Sequence, residues 1–209
     1  MLDSFLKFLE LGLYHIVSFK SYDHILFLVV LTIPYLFKDW KRLLLLISSF
    51  TLGHTLSLLL GVYDIINLKS NVIEWLIPFT IIIMALYNVF TAGKASKQSN
   101  PIIIFSIVLF FGFIHGLGFA NAFESMVSAN ESTLLSVLEF ALGIELGQLV
   151  IVFCILFFGF LGQTIFRFSV RDWVMVLSAV VIGLMLPLIF NSYINLFTSA
   201  FTLVRMQLK

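Results

Sequence analysis

Charged residues are scarce in this sequence. Asp, Glu, Lys and Arg make up only 11% of the 209 residues, whereas an ordinary soluble domain contains about 25%. Hydrophobic residues account for 61%, and the mean hydropathy is +1.11. Apolar stretches of about 18 residues or more, the length that a transmembrane helix needs, recur along the chain. The composition therefore predicts an integral membrane protein. Because backbone groups must be satisfied within lipid, we expect an all-α, polytopic helical bundle.

Cysteine and the motifs of several enzyme classes are also lacking. The single cysteine, Cys154, excludes an internal disulfide and a cysteine-ligated metal cluster. The formal net charge of +1 provides no basic surface for nucleic acid. The sequence contains neither the G-x-S-x-G motif of serine hydrolases, nor H-E-x-x-H, nor a phosphate-binding loop. These absences weigh against a nucleic-acid-binding protein, a serine hydrolase and a nucleotide-binding enzyme.

Charged clusters and turn-forming residues divide the chain into helices joined by short loops. The loops leave no room for a soluble domain, so one integral membrane domain is predicted over residues 1–209. A short first helix, at roughly 4–19, is expected to be either interfacial or a seventh span. Six long spans are predicted at roughly 22–37, 42–63, 71–93, 101–123, 132–161 and 172–197.

Lysine and arginine residues favour one set of the loops between these spans. Seven of them lie in this set, against Lys69 alone in the alternate loops, so the first set is predicted to face the cytoplasm. The seven residues are Lys38, Lys41, Arg42, Lys94, Lys97, Arg167 and Arg171.

All four histidines lie beside or within apolar runs. They are His15, His24, His54 and His115. Ionisable groups in lipid are costly, so they usually face the bundle interior or a water-filled cavity. With the predicted orientation, the last three histidines fall in the outer half of the membrane, as does Glu139 on a fourth helix. The sequence therefore predicts that separate helices bring these side chains together at one depth.

Each of these polar residues also has a structural interpretation. Asp23 could cap the start of a helix, and His15 could lie at a surface. Asn88 could hydrogen-bond a neighbouring helix. Glu145 could be a neutral acid bonded to Gln148, three residues further on, and each histidine could be hydrogen-bonded within the bundle. The sequence leaves these alternatives open.

Small residues accompany two of the histidines. Gly116 and Gly118 follow His115, and Ser57 follows His54 by about one turn. Small residues let helices approach closely, and glycines permit a local helix break of the kind that lines ion sites in transporters. Glycine as a packing surface alone is the alternative.

The combination of donor groups indicates a class of metal. Imidazoles with one or two carboxylates and no thiolate suit Ni²⁺, Co²⁺, Zn²⁺ or Fe²⁺ better than Ca²⁺ or Mg²⁺. The predicted metal ligands are His24, His54, His115, Asp23, His15, Glu139 and Glu145. The predicted supporting residues are Asn88, Gln148 and Ser57. No catalytic residue and no organic cofactor is predicted.

Several of these stretches resemble the HupE/UreJ family. The resemblance rests on His15-Ile16, YDHILFL at 22–28, TLGHTLSL with His54, ALYN with Asn88, FGFIHGLGFA with His115, and ELGQL with Glu145 and Gln148. These matches run in order over nearly the whole chain. The resemblance implies a polytopic inner-membrane protein, associated with hydrogenase and urease systems and regarded as a secondary nickel or cobalt permease. It also implies metal binding by His15, Asp23 and His24, with His54 and His115 next.

One departure from the family pattern concerns the first histidine. Ser21 stands where the family keeps a glycine two residues before the aspartate, and SFKSY lengthens the connection between His15 and Asp23. The reach of His15 to the site and the identity of the metal are therefore in question.

The resemblance favours a transporter over an enzyme. We predict a secondary permease for nickel or cobalt in the bacterial inner membrane, with its His/Asp site in the outer half of the membrane. The alternative is an intramembrane zinc-dependent hydrolase with Glu139 or Glu145 as general base. Little polar lining is expected in the inner half of the bundle, and this favours the hydrolase. The expected partners are lipid and a metal ion, and a homo-oligomer or a subunit of a larger envelope complex stays open.

Overall fold

Helices joined by short turns make up the described part of the chain, which in this computed structural model comprises residues 2–18, 21–93, 100–128 and 130–207. The helices are α1 Leu2–Val17, α2 Tyr22–Thr32, α3 Trp40–Val62, α4 Ser70–Thr91, α5 Pro101–Leu117, α6 Ala120–Glu124, α7 Thr133–Thr164 and α8 Val170–Gln207. A 3₁₀ turn at Phe37–Asp39 precedes α3. The all-α class is therefore confirmed for these residues. The predicted cytoplasmic residues Lys94 and Lys97 lie outside them.

Among the described residues, four helical stretches are long and apolar enough to cross a membrane. They are Phe37–Val62, Ser70–Thr91, Thr133–Thr164 and Val170–Thr198. The prediction of six long spans is not confirmed, because α2 has only 11 residues and α5 has 17. At a rise of about 1.5 Å per residue, α2 covers roughly 17 Å, about half of the hydrocarbon thickness.

The helices α1 and α2 lie one after the other along α7. Near the start of α1, Lys7 Nζ lies 3.1 Å from the Glu131 carboxylate, just before α7 begins. Beyond the end of α2, the ring of Phe37 lies 6.2 Å from that of Phe153, in the second half of α7. The two short helices therefore run in the same direction as α7 and together follow most of its length. The 16-residue α1 lies alongside a spanning helix and not across the end of the bundle.

Glycines allow two pairs of helices to approach closely. A Cβ on Gly12 of α1 or on Gly143 of α7 would collide with a backbone carbonyl oxygen of the opposite helix. Gly53 of α3 and Gly112 of α5 show the same arrangement. Small residues permit such close backbone packing. The pairs α1/α7 and α3/α5 therefore form two tight contacts in the bundle.

The helix α5 begins and ends at identifiable signals. The Asn100 side chain accepts a hydrogen bond from the Ile102 N–H at 3.1 Å, and Pro101 occupies the first helical position. At the other end, the Gly118 N–H donates to the His115 carbonyl at 3.1 Å and the chain turns before α6. The span expected at 101–123 is thus interrupted at the glycine, which leaves His115 in the last turn of α5.

Candidate metal centre

The four histidines lie side by side in the bundle. The ring centroids of His15 and His24 are 4.8 Å apart, and those of His24 and His115 are 5.2 Å apart. His54 lies 6.0 Å from His24 and 5.9 Å from His15. His24, His54 and His115 are buried, and His15 is half-buried. Four separate helices therefore contribute one imidazole each to a single cluster, which we call the imidazole cluster.

The interruption between α1 and α2 brings the first two histidines together. His15 lies in the last turn of α1, and His24 lies in the first turn of α2. Because the two helices follow one another along α7, side chains nine positions apart become neighbours. The longer connection therefore does not prevent His15 from reaching the imidazole cluster.

Close packing between α3 and α5 brings the other two histidines together. A Cβ on Gly116 would collide with the His54 carbonyl oxygen and with the Ser57 hydroxyl. The Ser57 hydroxyl donates to the His54 carbonyl at 3.0 Å. Ser57 therefore holds the backbone next to His54, and the glycine beside His115 allows the two rings to share one space.

The hydrogen bonds of His24 determine which of its nitrogens carries the proton. Its Nδ1 lies 3.1 Å from Asp23 Oδ1, which also accepts from the His24 backbone N–H at 3.0 Å. An ionised carboxylate can only accept hydrogen bonds, so Nδ1 is the donor. The lone pair of Nε2 is then available, and this atom has no hydrogen-bond partner among the described residues.

The side chain of Thr80 on α4 determines which ring nitrogen of His115 carries the proton. The Thr80 hydroxyl donates to the Ile77 carbonyl at 2.7 Å, and its oxygen lies 3.3 Å from His115 Nε2. Because the hydroxyl proton is already used, the ring nitrogen is the donor, and Nδ1 keeps its lone pair. That Nδ1 is buried and unpaired among the described residues. Sequence reasoning missed Thr80, since a threonine in an apolar helix carries no distinctive signal.

Several imidazole nitrogens in the cluster lack a protein partner. Within the described residues, these are His15 Nε2, His24 Nε2, His115 Nδ1 and both ring nitrogens of His54. A buried polar atom left unpaired costs about 1–3 kcal/mol. The cluster therefore offers lone pairs that a cation can satisfy.

The spacing of the donor atoms fits a transition-metal ion. Ligand atoms of His15, His24 and His54 lie within 4.8 Å of one another, and so do those of Asp23, His24 and His115. Opposite ligands at metal–nitrogen bonds of about 2.1 Å are about 4.2 Å apart. Small side-chain movements would thus bring either group to bonding distance.

Phenylalanine rings surround the imidazoles. The ring centroids of Phe119 and Phe140 lie 4.2 and 5.5 Å from that of His15. The ring centroids of Phe50 and Phe27 lie 5.2 and 5.5 Å from that of His115. Such rings keep the local dielectric low, which strengthens the interaction of a cation with the Asp23 carboxylate.

The remaining predicted residues lie outside the two donor groups. Neither Glu139 nor Glu145 belongs to these groups, within the part of the chain that the structure describes. Glu139 is buried, and its Oε2 has no hydrogen-bond partner among the described residues. Glu145 and Gln148 form hydrogen bonds to α3. The Asn88 side chain donates to the Val30 carbonyl of α2 at 2.6 Å. The interpretation of Asn88 as a bond to a neighbouring helix is therefore confirmed.

An apolar helical bundle around four imidazoles and a carboxylate, of which three imidazoles are buried, defines a polytopic membrane protein with a His/Asp cluster. The sequence pattern described as HupE / UreJ protein matches residues 1–192, and the chain belongs to this family. The family is linked to nickel and cobalt transport accessory functions. No curated protein and no solved structure matches the chain. The matched region contains every residue of the imidazole cluster.

Proposed function

We propose that this protein is a permease that carries a divalent transition-metal ion, nickel or cobalt, across the bacterial inner membrane. The observation that carries the proposal is the convergence of four imidazoles with unpaired nitrogens where two helices are interrupted. Discontinuous helices line the ion sites of many secondary transporters. The family membership supports the same class of substrate.

The cation would bind through the free lone pairs of the cluster. The free nitrogens are His24 Nε2 and His115 Nδ1. In each ring, the other nitrogen is held by a hydrogen bond, to Asp23 for His24 and to Thr80 for His115. Partners of this kind orient metal-binding imidazoles and raise their basicity. Asp23 also supplies a negative charge. Imidazole donors suit nickel, cobalt and zinc, so zinc belongs in every binding assay.

Two cavities support a route for the cation. One, of about 190 Å³, is lined by Asn67, Glu74, Asn121 and Gly118, and lies at the break after α5. Ile77 also lines this cavity, and its carbonyl accepts a hydrogen bond from the Thr80 hydroxyl. Thr80 in turn contacts His115 of the imidazole cluster. This cavity would be the outer access to the cluster.

The second cavity lies at the other end of α2. It measures about 250 Å³ and is lined by Thr32, Lys38, Gln163 and Trp173. Thr32 is eight residues beyond His24, about 12 Å along the helix. Phe27 and other buried side chains of α2 fill the space between. The arrangement corresponds to a carrier whose inner side is closed, and release would require α2 to move.

The test is the accumulation of radioactive nickel or cobalt by cells that express His54→Ala or His115→Ala. We expect accumulation to fall at least about tenfold, since loss of even an outer partner costs that much metal affinity. Glu124→Gln, at an exposed position in α6, is the matched control. Unchanged uptake in both histidine variants would remove the proposal. A purified protein that holds zinc tightly while cells take up no metal would favour the hydrolase instead.

A further inference from the structure

Two helices of the bundle carry the same pattern of residues. The pattern L-x-x-G-x-x-H runs from Leu9 to His15 in α1, and it recurs 100 residues later, from Leu109 to His115 in α5. In both helices the histidine lies in the last turn. Both helices are followed by a break and a second short helix, α2 after α1 and α6 after α5. The two broken helices are therefore similar in sequence and in form.

The helices that pack against this pattern are also similar. The pattern F-x-x-G begins at Phe140 in α7 and at Phe50 in α3. A Cβ on Gly12 would collide with the Phe140 carbonyl oxygen, and a Cβ on Gly112 would collide with the Phe50 carbonyl oxygen. In return, a Cβ on the glycine of either F-x-x-G pattern would collide with the carbonyl oxygen of the leucine that begins the facing pattern. The pairs α1/α7 and α3/α5 are thus packed in the same register.

The same order of elements occurs twice along the chain. Residues 2–91 form a broken helix (α1 and α2), a long helix (α3) and a third helix (α4). Residues 101–207 form a broken helix (α5 and α6), a long helix (α7) and a third helix (α8). Buried positions of α4 recur 100 residues later as buried positions of α8: Pro78, Ile81 and Ala85 correspond to Ser178, Val181 and Met185. Across the halves, α2 packs on α7 and α6 packs on α3.

The two halves run in opposite directions through the bundle. Just before α3 begins, the ring of Phe37 lies 6.2 Å from that of Phe153, in the second half of α7. Further along α3, the ring of His54 lies 6.4 Å from that of Phe140, in the first half of α7. The long helices are therefore antiparallel. Gly93, just after α4, lies next to the start of α8, so the third helices are antiparallel as well. Halves of this kind are the inverted-topology repeats of many secondary transporters.

The two cavities correspond to each other under this symmetry. The cavity of about 190 Å³, which we name the Gly118 cavity, lies between the end of α3, the start of α4 and the broken helix of the second half. The cavity of about 250 Å³, which we name the Trp173 cavity, lies between the end of α7, the start of α8 and the broken helix of the first half. Ile73 lines the former, and Trp173, 100 residues later, lines the latter.

The corresponding cavities differ in their access to the imidazole cluster. The Gly118 cavity lies directly beside the cluster, because the Gly118 N–H donates to the His115 carbonyl. The Trp173 cavity is separated from the cluster by α2, whose side chains Phe27 and Leu31 are fully buried. The helix α2 has 11 residues, whereas α6 has five. One half is therefore open toward its cavity while the other is closed.

We propose that the chain consists of two inverted repeats, residues 2–91 and 101–207, which exchange their open and closed arrangements. In this exchange α2 moves away from α7 and opens the Trp173 cavity to the imidazole cluster, while α6 closes the Gly118 cavity. The glycine-packed pairs α1/α7 and α3/α5 stay together as the rigid parts. The passage of a cation through the Trp173 cavity rests on the proposed function, but the repeat and its exchange do not.

The first test blocks each cavity in turn. Asn121→Cys and Gln163→Cys, one in each cavity, are made in a Cys154→Ser background, so that each protein has a single thiol. Membrane vesicles of both orientations are treated with a membrane-impermeant methanethiosulfonate, and nickel transport is measured. We expect loss of transport when the reagent reaches Asn121→Cys from the outer side, and when it reaches Gln163→Cys from the inner side. The exposed neighbours Glu124→Cys and Thr164→Cys are the matched controls and should keep transport.

The outcomes of this test separate the two proposals. Nickel transport that survives complete modification of Gln163→Cys, or a thiol there that the reagent does not reach from the inner side, overturns the inference and leaves the proposed function intact. If unmodified protein transports no metal, the proposed function fails, and the exchange between the repeats is decided by a second test that needs no nickel.

The second test measures whether closing one cavity opens the other. Asn67→Cys and Asn121→Cys, which both line the Gly118 cavity, are joined in purified Cys154→Ser protein by a short bifunctional thiol reagent. We expect amide hydrogen exchange of residues 27–36 to rise several-fold on cross-linking, because local opening exposes backbone amides. The same reagent across Asn121→Cys and Glu124→Cys, within α6, should leave exchange unchanged. Exchange in α2 that does not respond to the cross-link over the cavity overturns the inference.

Discussion

Replacement of Thr80 by valine tests whether a residue outside the predicted ligand set controls the affinity of the imidazole cluster for a cation. Valine keeps the shape of threonine but removes the oxygen that lies 3.3 Å from His115 Nε2. Thr80 is only 2% exposed, so water cannot easily take its place. The His115 ring would lose the hydrogen bond that keeps the proton on Nε2 and the lone pair on Nδ1.

The expected effect follows from the geometry. Loss of an outer partner of a metal ligand costs about 10–100-fold in metal affinity. The bond between Thr80 and His115 is slightly longer than the usual range of about 2.7–3.2 Å for a nitrogen donor. We therefore expect a loss of affinity near the lower, about tenfold, end. We expect the dissociation constant for nickel or cobalt to rise about tenfold in Thr80→Val, which corresponds to about 1.4 kcal/mol.

Isothermal titration of the purified protein with nickel measures this constant directly. Thr80→Ser keeps the hydroxyl and should restore most of the affinity. Thr91→Val is the matched control, because Thr91 is the last residue of the same helix and its hydroxyl donates locally, to the Tyr87 carbonyl at 2.7 Å. An unchanged dissociation constant in Thr80→Val would refute the assignment of the free lone pair to His115 Nδ1.

Three further predictions concern packing and pH. A larger residue at Gly12, as in Gly12→Val, should lower the stability of the protein by about 1–3 kcal/mol or more, because its side chain would collide with the α7 backbone. Thermal unfolding of the detergent-solubilised protein measures this change. Gly183→Val is the control, because no atom of the described residues lies within 4 Å of a Cβ added at Gly183. Hydrogen bonds from the Ser128 backbone and the Lys7 side chain hold the pKa of Glu131 below its ordinary value of 4.5. Its contribution to stability is therefore present above pH 4.5 and is lost as the pH falls through the lowered pKa, so the melting temperatures of wild type and Glu131→Gln should converge in acid. Nickel binding should weaken in acid, at a pH below the range in which free imidazole titrates, since protons compete for the imidazoles and burial opposes their protonation.

Each of these three predictions has an outcome that would contradict it. A Gly12→Val protein as stable as wild type would mean that α1 does not pack on α7 at this glycine. A difference between wild type and Glu131→Gln that persists in strong acid would exclude the carboxylate as its cause. Nickel affinity that does not change even in strong acid, where imidazoles are protonated, would show that imidazoles do not hold the cation.

The sequence by itself determined the class of protein and the residue types of the site. Its low charge and long apolar stretches could only describe a membrane-embedded helical chain, because lipid excludes unpaired backbone groups. Histidines in apolar runs indicated an interior cluster, because their burial in lipid needs a compensating interaction. The glycines after His115 permitted a helix break, but a continuous span over 101–123 was expected, and the structure places the break at Gly118.

The tertiary structure decided which residues meet. The sequence could not show that α1 and α2 follow one another along α7, that Thr80 contacts His115, or that the Ser48 hydroxyl donates to Glu145. These contacts join helices far apart in the chain, and they depend on how each helix is rotated and how closely it approaches its neighbour. Hydrophobic patterning fixes rotation poorly when lipid and core are equally apolar. The glycine contacts and interhelical hydrogen bonds fix it instead, and they exist only once the helices have packed.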